Sequence, residues 1–115
     1  MNVTLRKKPK GYTLIEGFPG FGLIGTIVTE YLLEHLECEQ IGELTYDELP
    51  ATVAIHKGKL VHPMGIFYNK QYKLIILHAI LDVRGYEWKI ADAINKIIKQ
   101  LDIKEVISIE GVAIN

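Results

Sequence analysis

The sequence has a single cysteine, Cys38, among its 115 residues. One cysteine excludes an internal disulfide and a cluster of thiolate ligands around a metal ion. A chain without disulfides suits the reducing cytoplasm. The sequence also lacks any stretch near the roughly 20 apolar residues that a membrane helix requires, and it lacks a signal-peptide pattern. We therefore expect a cytoplasmic protein that does not bind membranes.

The sequence has little excess charge of either sign. Its 13 Lys and Arg residues against 14 Asp and Glu residues leave a formal net charge of −1 at pH 7, which gives no basic surface for a nucleic acid. The one basic run, Arg6 to Lys8, is typical of a solvated strand edge or turn. The four histidines include no pair at ligand spacing on one predicted helix, so we expect no metal ion.

Hydrophobic periodicity predicts a fold of the α/β class. Helical spacing of apolar residues predicts one helix over about Leu23 to Leu36 and a second over about Tyr86 to Leu101. Short apolar or alternating segments predict strands. The predicted strands cover Val3 to Leu5, Tyr12 to Glu16, Gln40 to Tyr46, Thr52 to His56, Lys59 to Val61, Gly65 to Tyr68, Lys73 to Ile80 and Val106 to Ile109. This pattern predicts a three-layer domain in which a mixed sheet is flanked by helices.

The domain organisation follows from the length and from the last residues. We interpret residues 1–115 as a single α/β domain. Val112 to Ile114 are apolar and follow a predicted strand, at a point where an α/β chain normally continues into its next helix. We therefore expect the domain to be the N-terminal half of a longer protein, incomplete at its C-terminal end.

The most unusual segment has four glycines in nine residues, Gly17 to Gly25, and reads Gly-Phe-Pro-Gly-Phe-Gly-Leu-Ile-Gly. It lies between a predicted strand and a predicted helix. Gly20, Gly22 and Gly25 have the G-x-G-x-x-G spacing of a dinucleotide-binding loop, and the N–H groups at the start of the helix suit an anion. One hypothesis is therefore an enzyme, phosphorylase-like or ATP-grasp-like, that binds a small molecule or a nucleotide at this turn.

The residues around these glycines favour a different interpretation. Phe18 and Pro19 lengthen a turn that is tight in dinucleotide-binding proteins. The loop contains no Lys or Arg, and no Gly-Lys-Ser/Thr follows it, which excludes the phosphate loop of ATPases. We interpret the segment as a packed turn whose two exposed aromatic residues, Phe18 and Phe21, form a protein-contact surface.

Four further groups are candidates for chemistry, and each has a structural interpretation. We expect His78 to be a hydrogen-bonded core or edge histidine, and Cys38 to be a buried structural cysteine rather than a nucleophile. Asp82 to Gly85 is typical of a helix-entry turn. Glu16 and Glu110 each follow an apolar strand and precede a glycine, so their carboxylates meet at one sheet edge if the two strands are parallel neighbours. Such a pair suits acid–base chemistry or a cation, but carboxylates at solvated strand ends are commoner.

Two segments taken together resemble a known family. Leu14 to Gly25, which reads Leu-Ile-Glu-Gly-Phe-Pro-Gly-Phe-Gly-Leu-Ile-Gly, is followed by a predicted helix that carries Tyr31. This block closely resembles the opening of the archaeal proteasome assembly chaperone family. Ile107 to Ala113 is similar to that family's later strand and glycine turn. The resemblance spans nearly the whole chain, and the first block is its specific part.

The resemblance implies a non-catalytic binding protein with a fold similar to that of nucleoside phosphorylases and without a cofactor. Members of this family form homo-oligomers or pairs and bind proteasome subunits during assembly of the α-ring. The expected partners are therefore proteasome subunits, further copies of this chain, or both. The label ATP-grasp-like has also been applied to the family, but the sequence offers no candidate ligands for phosphate or magnesium. The expected contact residues are Phe18, Pro19, Phe21, Leu23 and Ile24, on a structural turn made by Gly17, Gly20, Gly22 and Gly25.

Overall fold

The computed structural model describes residues 1–18, 24–45, 54–56, 59–80 and 85–110. Each helix and strand predicted from the sequence is present within these ranges, and the bounds agree to within two residues. The elements are β1 (Asn2–Leu5), β2 (Thr13–Gly17), α1 (Ile24–His35), β3 (Glu39–Thr45), β4 (Ala54–His56), β5 (Lys59–Val61), β6 (Met64–Asn69), β7 (Leu74–Ala79), α2 (Glu87–Leu101) and β8 (Glu105–Ile109).

Six of these strands form one mixed sheet, in the order β1-β3-β6-β7-β2-β8. β2 lies between β7 and β8 and is parallel to both, whereas the other neighbours in this sheet are antiparallel. β4 and β5 pair as a separate antiparallel hairpin. The predicted α/β class with a mixed sheet is confirmed. The carboxyl ends of β2, β7 and β8 consequently lie at the same edge of the sheet.

Helix α2 covers one face of the sheet and builds the main hydrophobic core. Its apolar residues recur at helical spacing, and they pack against side chains of β2, β3, β6 and β7. Trp88, near the start of the helix, is 89% exposed and stays outside this core. The buried residues of α2 are Ile90, Ala93, Ile97 and Leu101.

Helix α1 lies on the opposite face of the sheet. Successive side chains of a strand point to opposite faces, so His78 of β7 points away from its core neighbours Leu77 and Ala79. Thr29 of α1 contacts His78 directly, with 2.7 Å between the Thr29 Oγ1 and His78 Nδ1 atoms. The two helices therefore enclose the sheet, and the predicted three-layer arrangement is present. Neither α1 nor α2, the helices in the described ranges, is long and apolar enough to cross a membrane.

The β1 edge of the sheet carries the basic run that the sequence predicted for a strand edge. Arg6 donates two hydrogen bonds, of 2.9 and 2.7 Å, to the carboxylate of Glu43 on β3. Lys7 forms an ion pair with Glu39, with 2.6 Å between their charged atoms. Charged side chains therefore surround this edge, which discourages pairing with another strand.

Candidate functional site

The junction between β2 and α1 depends on two glycines that approach each other closely. A Cβ atom added to Gly17, the last residue of β2, would lie 2.2 Å from the Gly25 carbonyl oxygen. A Cβ added to Gly25 would lie 2.6 Å from the carbonyl oxygen of Ile109 on β8. Only glycine fits at these contacts, and the contacts bring the start of α1 against the ends of β2 and β8. Gly20 and Gly22, which complete the predicted turn, lie outside the described residues.

A buried polar cluster links α1 to the sheet. Thr29 is fully buried, and its hydroxyl lies 3.1 Å from the Gly25 carbonyl oxygen and 2.7 Å from His78 Nδ1. The Thr29 hydroxyl therefore joins the first turn of α1 to His78 of β7. Thr26 donates to the carbonyl of Ala79, at the end of β7, over 2.9 Å. The prediction that His78 is a hydrogen-bonded histidine is confirmed.

The orientation of α1 divides the apolar residues that helical spacing places on this helix. In α1, all of which the structure describes, the fully buried residues are Gly25 and Thr29. Val28 and Leu32 are half-buried. Ile24, Ile27 and Tyr31 are 40%, 53% and 58% exposed. Gly25 and Thr29 are small, and small side chains allow the helix to approach the strands closely. The side of α1 that carries them therefore faces the sheet.

The exposed apolar residues of α1 form one stripe. At about 100° per residue, positions 24, 27 and 31 lie within about 60° of one another and face away from the Gly25 and Thr29 side. We call Ile24, Ile27 and Tyr31 the outer stripe of α1. The Tyr31 ring stacks on the His35 ring, with 3.8 Å between ring centroids and 19° between planes. His35 Nδ1 also lies 2.9 Å from the Tyr31 carbonyl oxygen, which fixes the imidazole in this position.

The predicted contact residues have different surroundings. Ile24 is exposed and begins the outer stripe. Phe18 is half-buried and packs against the α2 core, so it is less exposed than the sequence interpretation proposed. The reason is the alternation of side chains along the chain. Phe18 lies four positions after Leu14, a residue of the α2 core, and therefore points to the same face of the sheet. Pro19, Phe21 and Leu23 lie outside the described residues.

Glu16 and Glu110 do approach each other, because β2 and β8 are parallel neighbours. Ser108, opposite Glu16 in the register, donates a 2.7 Å hydrogen bond to Glu16 Oε1. Glu16 Oε2 is buried and has no hydrogen-bond partner in the described part of the chain. Burial raises the pKa of Glu16, the Ser108 hydrogen bond acts in the opposite direction, and the charge of Glu110 raises the pKa further. The sequence pointed to both carboxylates but not to Ser108.

The remaining candidates give no further reactive group. Cys38 is half-buried, and burial raises the pKa of its thiol. A raised pKa keeps the thiol protonated, and a protonated thiol is a poor nucleophile. The described residues contain no group of three His, Cys, Asp or Glu side chains placed to hold a metal ion. Asp82 to Arg84, the start of the predicted helix-entry turn, lie outside the described ranges.

Comparison with known proteins identifies the family. The model of the PAC2 family matches residues 14–115, which is most of the chain. The chain belongs to the PAC2 family. This match confirms the resemblance inferred from the glycine-rich block and the later strand. None of the curated proteins compared with this PAC2 chain matches it.

Solved structures show the same fold in longer proteins. PbaA from Pyrococcus furiosus, described as an archaeal homolog of proteasome-assembly chaperone, is 28% identical with a TM-score of 0.85. The match covers 98% of this chain and 49% of PbaA. PbaB from the same organism, described as an archaeal proteasome activator, is 24% identical with a TM-score of 0.78, over 98% of this chain and 52% of PbaB. This PAC2 chain therefore spans about half the length of the solved relatives that it matches.

A Thermoplasma acidophilum protein, described as having unknown function, has the same fold. It is 22% identical with a TM-score of 0.82, and the match covers 93% of this chain and 44% of that protein. At this identity, as for PbaB, the likeness concerns the fold alone. Proteins with different descriptions thus share this fold. The fold alone does not determine the function, which depends on the residues at the protein surface.

Proposed function

We propose that this chain is a non-catalytic chaperone of proteasome assembly and that it binds proteasome α-type subunits. Two findings support the proposal. The chain belongs to the PAC2 family, and PbaA, 28% identical to it, is described as an archaeal homolog of proteasome-assembly chaperone. The match covers 49% of PbaA, so the chaperone activity of this chain is a proposal.

The outer stripe of α1 is the observation that carries the proposal. A helix on the surface of a soluble protein normally turns its polar side to water, as α2 does. In α1 the stripe residues Ile24, Ile27 and Tyr31 are all more than one third exposed. Contiguous exposed apolar residues on a folded domain are typical of a protein-contact surface.

Tyr31 is the strongest anchor in this surface. Tyrosine is enriched among the residues that dominate binding energy, because a large ring loses few rotatable bonds on association. Stacking on His35 holds the Tyr31 ring before any partner arrives. A side chain that is already held in place loses less entropy when it binds.

The predicted contact residues of the glycine-rich turn remain part of the proposal. Ile24 belongs both to that turn and to the outer stripe, so Phe18, Pro19, Phe21 and Leu23 directly precede the exposed face of α1 in the chain. We propose that the turn and the stripe together cover an apolar patch on an unassembled subunit. Release follows when a neighbouring subunit of the ring buries the same patch more completely.

Paired tyrosine substitutions test the proposal. Tyr31 and Tyr72 are both 58% exposed, but Tyr72 lies in the turn between β6 and β7. We expect Tyr31→Ala to weaken binding to purified proteasome α-type subunits by about 2 kcal/mol, roughly 30-fold in Kd. Tyr72→Ala, the matched control, retains the wild-type affinity. Isothermal calorimetry or a pull-down measures the difference, and equal affinities for the two variants would refute the proposed surface.

A further inference from the structure

Three connections of the chain meet at one end of the sheet, away from the junction of β2 and α1. Strands β2, β7 and β8 are parallel neighbours, and their first residues are aligned with one another. The segments that precede these strands therefore lie side by side at the amino ends of the strands. They are residues 6–12 before β2, residues 70–73 before β7 and residues 102–104 before β8.

Main-chain hydrogen bonds hold these connections in place. The N–H of Lys104 donates to the carbonyl oxygen of Tyr12 over 3.1 Å, which joins the connection before β8 to the one before β2. The N–H of Thr13, the first residue of β2, donates to the carbonyl oxygen of Lys73 over 3.0 Å. The lysines on these segments consequently start from a fixed backbone.

More than half of the positive charge of the chain lies on these connections. They contain seven of the 13 Lys and Arg residues and one acidic residue, Asp102. Arg6 and Lys7 form ion pairs with glutamates of β3. The other five lysines are exposed, and we call them the basic end. The basic end consists of Lys8, Lys10, Lys70, Lys73 and Lys104.

The spacing of the basic end suits an extended chain. Lys73 and Lys104 directly precede the first residues of β7 and β8, on either side of β2, so their main chains are two strand spacings apart, about 10 Å. Side chains on one face of an extended peptide recur about every 7 Å, and the long lysine side chains can adjust to this difference. The ammonium of Lys10 donates to the carbonyl oxygen of Gln100 at the end of α2, which holds a third positive charge at this end.

We propose that the basic end binds an acidic, extended peptide segment of a partner protein. Carboxylates of such a segment complement the exposed lysines and also accelerate association. A nucleic acid is less complementary, because Asp102 and Glu105 lie within two positions of Lys104 and repel a continuous chain of phosphates. A peptide can instead place neutral residues at these two positions.

Fluorescence anisotropy with a short fluorescein-labelled peptide, in which glutamate alternates with serine, tests the proposal. We expect the wild-type chain to bind this peptide and the affinity to fall as salt is added, because salt screens exposed charges. Lys73→Glu and Lys104→Glu each weaken binding by about fivefold. Lys89→Glu, the matched control, changes the net charge equally but lies in the first turn of α2, at the other end of that helix, and retains the wild-type affinity. Circular dichroism verifies the fold of each variant.

The same measurement gives the results that overturn the proposal. They are a wild-type chain that does not bind the glutamate peptide, a Lys89→Glu variant that loses as much affinity as Lys73→Glu and Lys104→Glu, and tighter binding of a short oligothymidylate than of the peptide. The last result would assign the basic end to a nucleic acid. None of these measurements uses a proteasome subunit, so their outcome is independent of the proposed function.

Discussion

Helices α1 and α2 cover opposite faces of one sheet, yet they attach to it in different ways. The buried residues of α2 are the apolar Ile90, Ala93, Ile97 and Leu101, whereas those of α1 are Gly25 and Thr29. The deepest contacts of α2 are apolar, whereas those of α1 are a close backbone approach and hydrogen bonds. Val28, Leu32 and Leu33 of α1 are half-buried. Ile24, Ile27 and Tyr31 lie away from the Gly25 and Thr29 side and are exposed on the surface.

The difference has consequences for stability and for function. Apolar burial stabilises in proportion to the area removed from water, so α2 contributes strongly to the free energy of unfolding. Hydrogen bonds such as those of Thr29 add a smaller net amount, but they fix direction and position. The α2 layer thus stabilises the fold, and the α1 layer holds a surface in a defined orientation.

The largest expected effect is a difference between the two helices in how much an isoleucine-to-alanine substitution lowers the free energy of unfolding. Ile97 of α2 is fully buried, and Ile27 of α1 is 53% exposed. We expect Ile97→Ala to lower the free energy of unfolding by about 3 kcal/mol, because it leaves a cavity in the core. Ile27→Ala, the same change on α1, costs about 0.5 kcal/mol or less. Urea titration of both variants measures the contrast, and equal costs would remove the distinction between the helices.

The second effect tests the close approach of α1. A Cβ at Gly25 meets the main chain of β8 at 2.6 Å, and a main-chain oxygen cannot move away as a side chain does. We expect Gly25→Ala to cost about 2 kcal/mol, because overpacking of about 3 kcal/mol exceeds the gain of about 1 kcal/mol in helix propensity. Hydrogen exchange locates the effect: amides of α1 exchange faster and those of α2 do not. A variant as stable as the wild type contradicts the tight contact.

The smallest effect depends on pH and concerns Glu16. Its folded-state pKa is raised, so the folded state binds the proton more tightly than the unfolded state does. The stabilising contribution is complete below the ordinary glutamate pKa of 4.5 and is lost as the pH rises through the raised pKa. We expect Glu16→Gln, which keeps the acceptor for Ser108, to raise Tm by about 2 °C at pH 8.

The control for this effect is the same pair of proteins at low pH. At pH values below 4.5, where Glu16 is protonated in both states, the advantage of Glu16→Gln disappears. Thermal unfolding across the pH range measures the slope. A difference in Tm that is independent of pH would mean that packing, and not the charge of Glu16, accounts for the substitution.

The sequence was sufficient to predict which elements form, because their signals are local. Alternation and helical spacing located the strands and helices of the described ranges. The approach of Glu16 to Glu110 was predicted on the condition that their strands are parallel neighbours, and the structure meets this condition. Such patterns can be recognised without knowing which face of a helix contacts the sheet.

The orientation of α1 could not be predicted in the same way. Periodicity finds an apolar stripe, but it does not show whether that stripe faces the sheet or water. The deciding facts are tertiary: Gly25 lies against the β8 backbone, and Thr29 reaches His78 across the layer. A signal was present in the spacing of Gly25 and Thr29, two small residues one turn apart. Ser108 was missed because a serine within an apolar strand resembles a solvent-facing position.

Hydrogen exchange of the two helices, with and without proteasome α-type subunits, tests the central claim most directly. If the outer stripe is the contact surface, the amides of Ile24–His35 become protected when the subunits are added. The amides of Glu87–Leu101, on the other face of the sheet, keep their exchange rates. Protection of α2 in place of α1, or no change in α1 while the subunits are bound, would contradict the account.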